Sequence, residues 1–351
     1  MPTIVEGSAR IRIPKAVGIS KKMPVFYNPH MAFNRDISVL LVGVLRPQRM
    51  CLPLAASGIR AIRFAKQVPE AVICANDVNP RAVSLMRSNA KMNEVRFDIE
   101  NRDANELLLS SGGFEYIDLD VFGSPNPFLD ASCKRMSRGG ILAVTATDTA
   151  ALAGTYPKAC ARKYWSRPLR NELMHEIGLR ILIRKVQLIG AQYDKALVPV
   201  FVHATRHYVR AYMMARPGKS AVDKELARHV SAWWCSCCGL AYSASCGTAQ
   251  EFGPFYDGPL WDVLLVKKMR ALAQGHHEKF FSVIEQEAAI PVVGFFDPPS
   301  WCKRKKCTVP PLDSVMMRMR SMGYAASRTH FNPNSIRTTM PLKECLELLS
   351  Q

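Results

Sequence analysis

No stretch of the 351 residues is apolar for long enough to cross a bilayer. The longest near-continuous run, Ile37 to Leu45, falls far short of the ~20 residues such a helix needs. Lys15, Lys21 and Lys22 border no apolar core of signal-peptide type. The 11 cysteines are odd in number and scattered, which excludes a disulfide framework and predicts a reducing, cytoplasmic setting. Acidic residues are scarce: 29 Asp and Glu face 47 Lys and Arg, a formal charge of +18. That imbalance argues against acid-rich surfaces and for an anionic partner, nucleic acid first, because neutralised phosphates release counterions. There is no G-x-G-x-x-G and no extended phosphate-cradling loop, which disfavours NAD. Internal repeats and low-complexity segments are also missing. What remains is 48% hydrophobic, enough for packed cores, over a length that predicts roughly two domains.

Residues 50–148 alternate short apolar runs with helical patterns. Met50–Leu54, Ala71–Asp77, Val95–Asp103, Tyr116–Phe122 and Gly140–Thr147 read as strands; Ile59–Lys66 and Pro80–Met92 read as helices. This alternation predicts an α/β fold with a mostly parallel sheet, helices on both faces, and ligands beyond the carboxyl ends of the strands. Those ends carry Ser57, Asp77, Asp103, Asp120 and Asp148. Leu169, Leu173, Ile177 and Ile181 recur every four residues and predict a helix face, whereas residues 198–214, Arg206 among them, read as extended. After the break at Pro217–Ser220 the character changes to a cysteine cluster, turns and short helices. We therefore expect a domain over 1–228 and a smaller α+β domain over 229–351.

Small residues at Ala55-Ala56-Ser57-Gly58 let a ligand approach the backbone at a helix N-terminus. Asp77, ending the second strand, can accept both ribose hydroxyls of a nucleoside cofactor, and S-adenosylmethionine is one that lacks phosphates. Asp103-Ala104 could meet an adenine, or Asp103 could simply cap a helix. In Asp118-Leu119-Asp120-Val121-Phe122-Gly123-Ser124-Pro125 a strand delivers a carboxylate, an aromatic and a glycine turn to one point. A guanine amine is a poor nucleophile, and a carboxylate accepting its N–H bonds can orient the lone pair and take the proton. Asp120, nearer the strand end than Asp118, is the expected base; Asp118 would satisfy neighbouring backbone.

Along nearly its whole length the chain resembles the tRNA (guanine 26, N2)-dimethyltransferases. The matching stretches include Val25-Phe26-Tyr27-Asn28-Pro29, Asn34-Arg35-Asp36, Ser57-Gly58-Ile59-Arg60, Asn76-Asp77-Val78-Asn79-Pro80 and Arg102-Asp103-Ala104-Asn105. Others are Thr145-Ala146-Thr147-Asp148, Arg162-Lys163-Tyr164, Gly258-Pro259-Leu260-Trp261 and Ser327-Arg328-Thr329-His330-Phe331. The resemblance implies a Rossmann-like class I methyltransferase domain and S-adenosylmethionine contacts at Arg35, Arg60, Asp77, Asp103 and Ala104. It also implies Asp120 as the catalytic acid and Phe26 with Phe122 as a sandwich for the base. The family's Asp-Pro-Phe-Gly is here broken by Val121, which keeps the carbonyl but loses proline's fixed φ.

Cys235-x-x-Cys238 with Cys246 forms a zinc half-site and a third thiolate, with Ser243 where the family commonly has another cysteine. A fourth ligand would come from Cys237, His229, Cys302 or Cys307; otherwise the segment is a relict knuckle held by Trp233, Trp234 and packing. Basic residues gather at Lys158, Arg162, Lys163, Arg167 and Arg170, and again at Lys303, Arg304, Lys305 and Lys306, where they would track tRNA phosphates. Arg318, Arg320 and Arg328 form a looser group. No obligate protein partner is evident. The rival expectations are a methyltransferase for another nucleic-acid amine and a non-catalytic RNA-binding protein.

Overall fold

The computed structural model describes residues 2–14, 23–205, 207–244, 246–273 and 275–349. Lys15, Lys21, Lys22 and Arg206 lie outside the described residues. The chain forms two compact units: residues 1–146, 189–198 and 212–219, and residues 147–188, 199–211 and 220–351. Residue 228 lies inside the second unit.

The first unit opens on an antiparallel hairpin, β1 (Thr3–Glu6) and β2 (Ala9–Arg12), and helix α1 (Ala32–Leu45). The expected alternation follows as β3 (Arg49–Leu52), α2 (Ile59–Gln67), β4 (Val72–Asn76), α3 (Pro80–Met92), β5 (Asp98–Glu100), α4 (Ala104–Ser110), β6 (Phe114–Asp120), α5 (Asn126–Arg135) and β7 (Met136–Ala146). With β8 (Lys195–Ala204) and β9 (Val209–Pro217) these strands form a sheet in the order β5-β4-β3-β6-β7-β9-β8. The pairs β3–β4, β4–β5, β3–β6 and β6–β7 are all parallel. Strand order reverses between β3 and β6, so the ligand crevice is expected beyond their carboxyl ends. In β6 four consecutive residues, Tyr116 to Leu119, are buried and Asp120 at its end is half-buried, as a strand covered on both faces requires.

α3 matches its expected bounds because its signals are local: Asn79 caps the first turn through Arg81 N–H, and Pro80 takes the position where a missing N–H costs nothing. The third strand is shorter than expected. Val95 and Phe97 are drawn onto the cluster of Ala9, Ile11, Tyr27, Ile59 and Ile62, so the ladder starts only at Asp98. The expected extended stretch at 198–214 is two strands, joined at Thr205, whose N–H donates to the Tyr208 carbonyl.

The second unit contains α6 (Thr149–Leu152), α7 (Pro157–Tyr164), most of α8 (Met174–Ala191) and α9 (Lys219–Leu226). A three-stranded antiparallel sheet follows, from β10 (His229–Cys235), β11 (Gly239–Ala241) and β12 (Gln250–Tyr256). Then come α10 (Val263–Leu272), α11 (His276–Ala288), α12 (Pro298–Lys305), α13 (Leu312–Ser321), the pair β13 (Ala326–Arg328) and β14 (Ile336–Thr338), and α14 (Leu342–Leu348). Phe296, Trp301, Val315, Met319, Ile336 and Leu348 form one apolar core here. Beside it lies a sealed ionic cluster. Arg337 pairs with Glu176 at 2.6 Å and Glu287 at 2.9 Å, and Arg180 joins Glu176 at 2.8 Å. Thr329 and His330 both bond Glu287, and Arg180 donates to the Gly258 carbonyl at 2.9 Å. Two of the family-like stretches, Gly258–Trp261 and Ser327–Phe331, therefore help build this interior.

Candidate active site

The turn after β3 is fastened to β4: Ala55 N–H donates to the Asn76 carbonyl at 2.7 Å. Gly58 ends the turn at φ +79°, and a Cβ there would lie 2.5 Å from Met86 Cγ, so both conformation and packing demand glycine. Asp77, just past β4, accepts from Ala56 N–H and from Asn79 N–H, each at 2.9 Å. Burial pushes the Asp77 carboxyl above its ordinary value, although these two bonds pull it down. Asp103 caps α4, with one oxygen accepting from Asn105 N–H and Glu106 N–H, and Ala104 behind it is buried. Asn76 ties the surrounding loops together. Its amide donates to the Pro53 and Arg102 carbonyls and accepts from Arg102 N–H, at 2.9 to 3.0 Å.

At the end of β6 the two aspartates have different surroundings. Asp118 is buried, accepts from Tyr116 OH at 2.8 Å and lies 3.6 Å from Arg60 Nε. Asp120 pairs with the terminal nitrogen of Arg60, and its side chain keeps 22% of its surface exposed. Arg60 also donates to Ser38 Oγ and, at 2.8 Å, to Asn34 Oδ1. Asn34 is fully buried, and its Nδ2 has no partner among the described residues. Arg35 forms a two-pronged pair with Glu6, at 2.6 and 2.5 Å, and donates to the Asn28 carbonyl. Glu6 also takes Arg63 at 2.9 Å and Tyr27 OH at 3.0 Å. Burial alone would push the Glu6 carboxyl up, but the arginines and Tyr27 hold it below its ordinary value. Nothing in the sequence marks Glu6, which stands 29 residues from Arg35 and 57 from Arg63.

Phe26 and Phe122 meet edge to face with centroids 5.4 Å apart, and Phe122 is 48% exposed. A base stacked between two rings needs about 7 Å, twice the ~3.5 Å van der Waals spacing, so the pair must open to admit one. Gly123 follows at φ +108°, and a Cβ there would meet nothing within 4 Å. The first unit thus brings Asp120, Phe122, Phe26 and Arg60 to one place, with Asp77 just past β4 and Asp103 capping α4 after the neighbouring β5.

The family profile described as "N2,N2-dimethylguanosine tRNA methyltransferase" matches residues 7–350. The chain belongs to that family. It is similar to the tRNA (guanine(26)-N(2)/guanine(27)-N(2))-dimethyltransferase of Aquifex aeolicus, at 36% identity over 100% of this chain and 96% of that one. It is also similar to the tRNA (guanine(26)-N(2))-dimethyltransferase of Thermococcus kodakarensis, at 37% identity over 99% and 98%. Among solved structures, that of Trm1 from Pyrococcus horikoshii with S-adenosyl-L-methionine superposes with a TM-score of 0.91 at 35% identity, covering 99% of each chain. The Rossmann-like methyltransferase fold of this family is the one seen here.

In the second unit of this family member, Cys235, Cys237, Cys238 and Cys246 place their sulfurs within 4.8 Å of one another. Among the ligands left open by the sequence, Cys237 is the one in this cluster; His229 is instead hydrogen-bonded to Gln187 at 2.8 Å. Lys158, Arg162, Lys163, Arg167 and Arg170 are all exposed, Lys163 reaching Asp148 at 3.1 Å and Arg167 reaching Glu251 at 2.7 Å. Lys303, Lys305 and Lys306 are exposed as well. Arg304 is held by both oxygens of Glu172 and lies 4.6 Å over the Trp301 ring. No helix of the described residues is long and apolar enough to cross a membrane.

Proposed function

We propose that this chain transfers methyl groups from S-adenosylmethionine to the exocyclic N2 of guanine 26 in tRNA, giving N2-methylguanosine and then N2,N2-dimethylguanosine. The observation that carries the reading is Asp120, a part-exposed carboxylate at the strand-order switch point, followed at once by an exposed aromatic and an open glycine turn. The residues fit the cofactor: Asp77 offers a half-buried carboxylate for ribose hydroxyls, Asp103 and Ala104 would flank an adenine, and the buried Asn34 Nδ2, beside Arg60, has no partner among the described residues. Bound S-adenosylmethionine supplies an electrophilic methyl group on sulfonium. Arg60 would release Asp120 to hold the cofactor's carboxylate bidentately, and Arg35, whose fork Glu6 occupies here, would have to share its guanidinium to join it. Asp120 then accepts the guanine N–H bonds, turns the amine lone pair toward the methyl and takes the proton. Phe26 and Phe122 open to hold the base, which must leave its stack.

The tRNA grip rests on the exposed Lys158–Arg170 cations and on Lys303, Lys305 and Lys306, which all lie in the second unit. Zinc fits the four thiolates. A tetrahedral site with Zn–S near 2.3 Å needs sulfurs about 3.8 Å apart, and Cys246 stands 3.8 Å from both Cys237 and Cys238. Cys235, at 2.9 Å from Cys237 and 3.0 Å from Cys246, would move outward by under an ångström. The expected setting is the cytoplasm. The deciding experiment is mass spectrometry of nucleosides from unmodified tRNA incubated with the protein and labelled cofactor. Label in the two methylated guanosines is expected. Label in adenosine or cytidine would redirect the chemistry to another amine, and tRNA retained without label would leave an RNA-binding protein.

A further inference from the structure

We propose that Trp165 is a stacking platform for an unpaired nucleotide of the RNA substrate, an inference that rests on the functional reading above. Trp165 ends α7 in the left-handed conformation, φ 55° and ψ 42°, with its N–H on the Ala161 carbonyl at 3.1 Å. Such helix ends favour glycine, because a Cβ in that region costs free energy. Here the position carries the bulkiest side chain, and the ring does not repay the strain by burial: it is 49% exposed. Its inner face is covered. Lys185 Nζ lies 2.9 Å from the ring centroid, and Lys185 itself is buried, so the solvent-facing side of the indole is the opposite one. Arg184 fixes the backbone from the same helix, donating to the Trp165 carbonyl at 3.2 Å. A cation held against one face of an aromatic leaves the other face for an electron-rich ring, and a nucleobase is such a ring.

The surroundings specify the partner. Residues 158–170 contain five Lys and Arg and no acid, and all five cations are exposed. Tyr156, at the other end of α7, is 61% exposed. A short helix with an exposed aromatic at each end and cations between them matches single-stranded nucleic acid, where phosphates track the charges and bases stack on the rings. An apolar protein partner would instead meet a charged surface that it must desolvate.

The test uses the full-length chain with Trp165→Gly and Trp165→Phe, measuring thermal stability, cofactor affinity and tRNA affinity over a salt series. Trp165→Gly is expected to raise Tm by relieving the backbone, leave cofactor affinity unchanged and weaken tRNA binding about tenfold, the scale of one lost base stack. The slope of log affinity against log salt should stay the same, because no phosphate contact is removed. Trp165→Phe should keep most of the tRNA affinity. Wild-type binding matched by Trp165→Gly overturns the platform alone. A fall in Tm in Trp165→Gly that Trp165→Phe restores assigns the ring to packing and also overturns it. Wild-type protein that does not bind tRNA overturns the functional reading, and the platform with it.

Discussion

Each unit buries arginines against carboxylates, but the two clusters are finished differently. In the second, Arg180, Arg337, Glu176, Glu287 and His330 have side chains 0 to 3% exposed, and the charges consume one another. In the first, Arg60 is also buried, yet its partner Asp120 opens to solvent beside Phe122. Buried ion pairs give little net stability once desolvation is counted, so their presence alone says nothing of purpose. The open end does. A carboxylate held by a buried arginine but reachable from outside can change partner, whereas a sealed one cannot.

Asp120→Asn should break the open cluster's chemistry. Methyl transfer should fall ~10²–10⁴-fold, the range for a lost general base, with tRNA affinity little changed and cofactor affinity equal or higher, because Arg60 no longer has this charged partner to give up. Single-turnover methyl transfer at saturating tRNA reads this. Near-normal rates, or a larger loss in Asp118→Asn, would put the chemistry on the wrong carboxylate. Asp118, buried between Tyr116 and Arg60, should lose stability more than rate when changed.

Arg337→Met should break the sealed cluster. It takes one charged partner from each of Glu176 and Glu287, leaving Arg180 on the first and Thr329 and His330 on the second, and should cost ~3–5 kcal/mol of stability, read by urea unfolding, while methyl transfer per folded molecule holds. If activity fell but stability did not, the division between the clusters would collapse. Acid should distinguish them too. Burial pushes Glu287 up, but His330 and Arg337 outweigh it and hold it at about 2, against an ordinary 4.5. A depressed carboxyl adds stability above its unfolded value and loses it as pH falls through the folded one. The second unit's contribution should therefore fade between about pH 4.5 and pH 2, and Glu287→Gln should flatten that slope in urea midpoints. Asp77→Ala should weaken S-adenosylmethionine binding by ~1.5–3 kcal/mol for each ribose hydroxyl that loses its charged acceptor. Unchanged affinity by calorimetry in a folded variant would remove Asp77 from the cofactor site.

The strand and helix alternation around Asp77 and Asp120 was legible because its signals are local: apolar runs, a Pro after a capping Asn, small residues in a turn. Partnerships between distant segments were not. Glu6 looks like an ordinary surface acid beside Gly7, and only the hairpin brings it to Arg35 and Arg63. Arg60 points to a cofactor only through the family resemblance, and nothing local shows that Asp120 holds it in this structure. Ser327–Phe331 is one of the family-like stretches, and it supplies Thr329 and His330 to a buried Glu287, a role that depends on a helix residue 42 positions before Thr329. The third strand failed for the same reason: Val95 and Phe97 have strand chemistry, and a tertiary contact claims them first.

The buried side chain of Asn76 has a consequence for motion. One amide grips the loop after β3 through Pro53 and the loop after β5 through Arg102, while standing at the end of β4 itself. Neither loop can swing away without unpairing part of the same buried side chain, and a stranded buried amide costs ~1–3 kcal/mol. Backbone amides in both loops should therefore exchange with deuterium at one shared opening free energy, as a single cooperative unit. A graft of either loop from a relative would disturb the other unless the asparagine and its two backbone partners travelled with it.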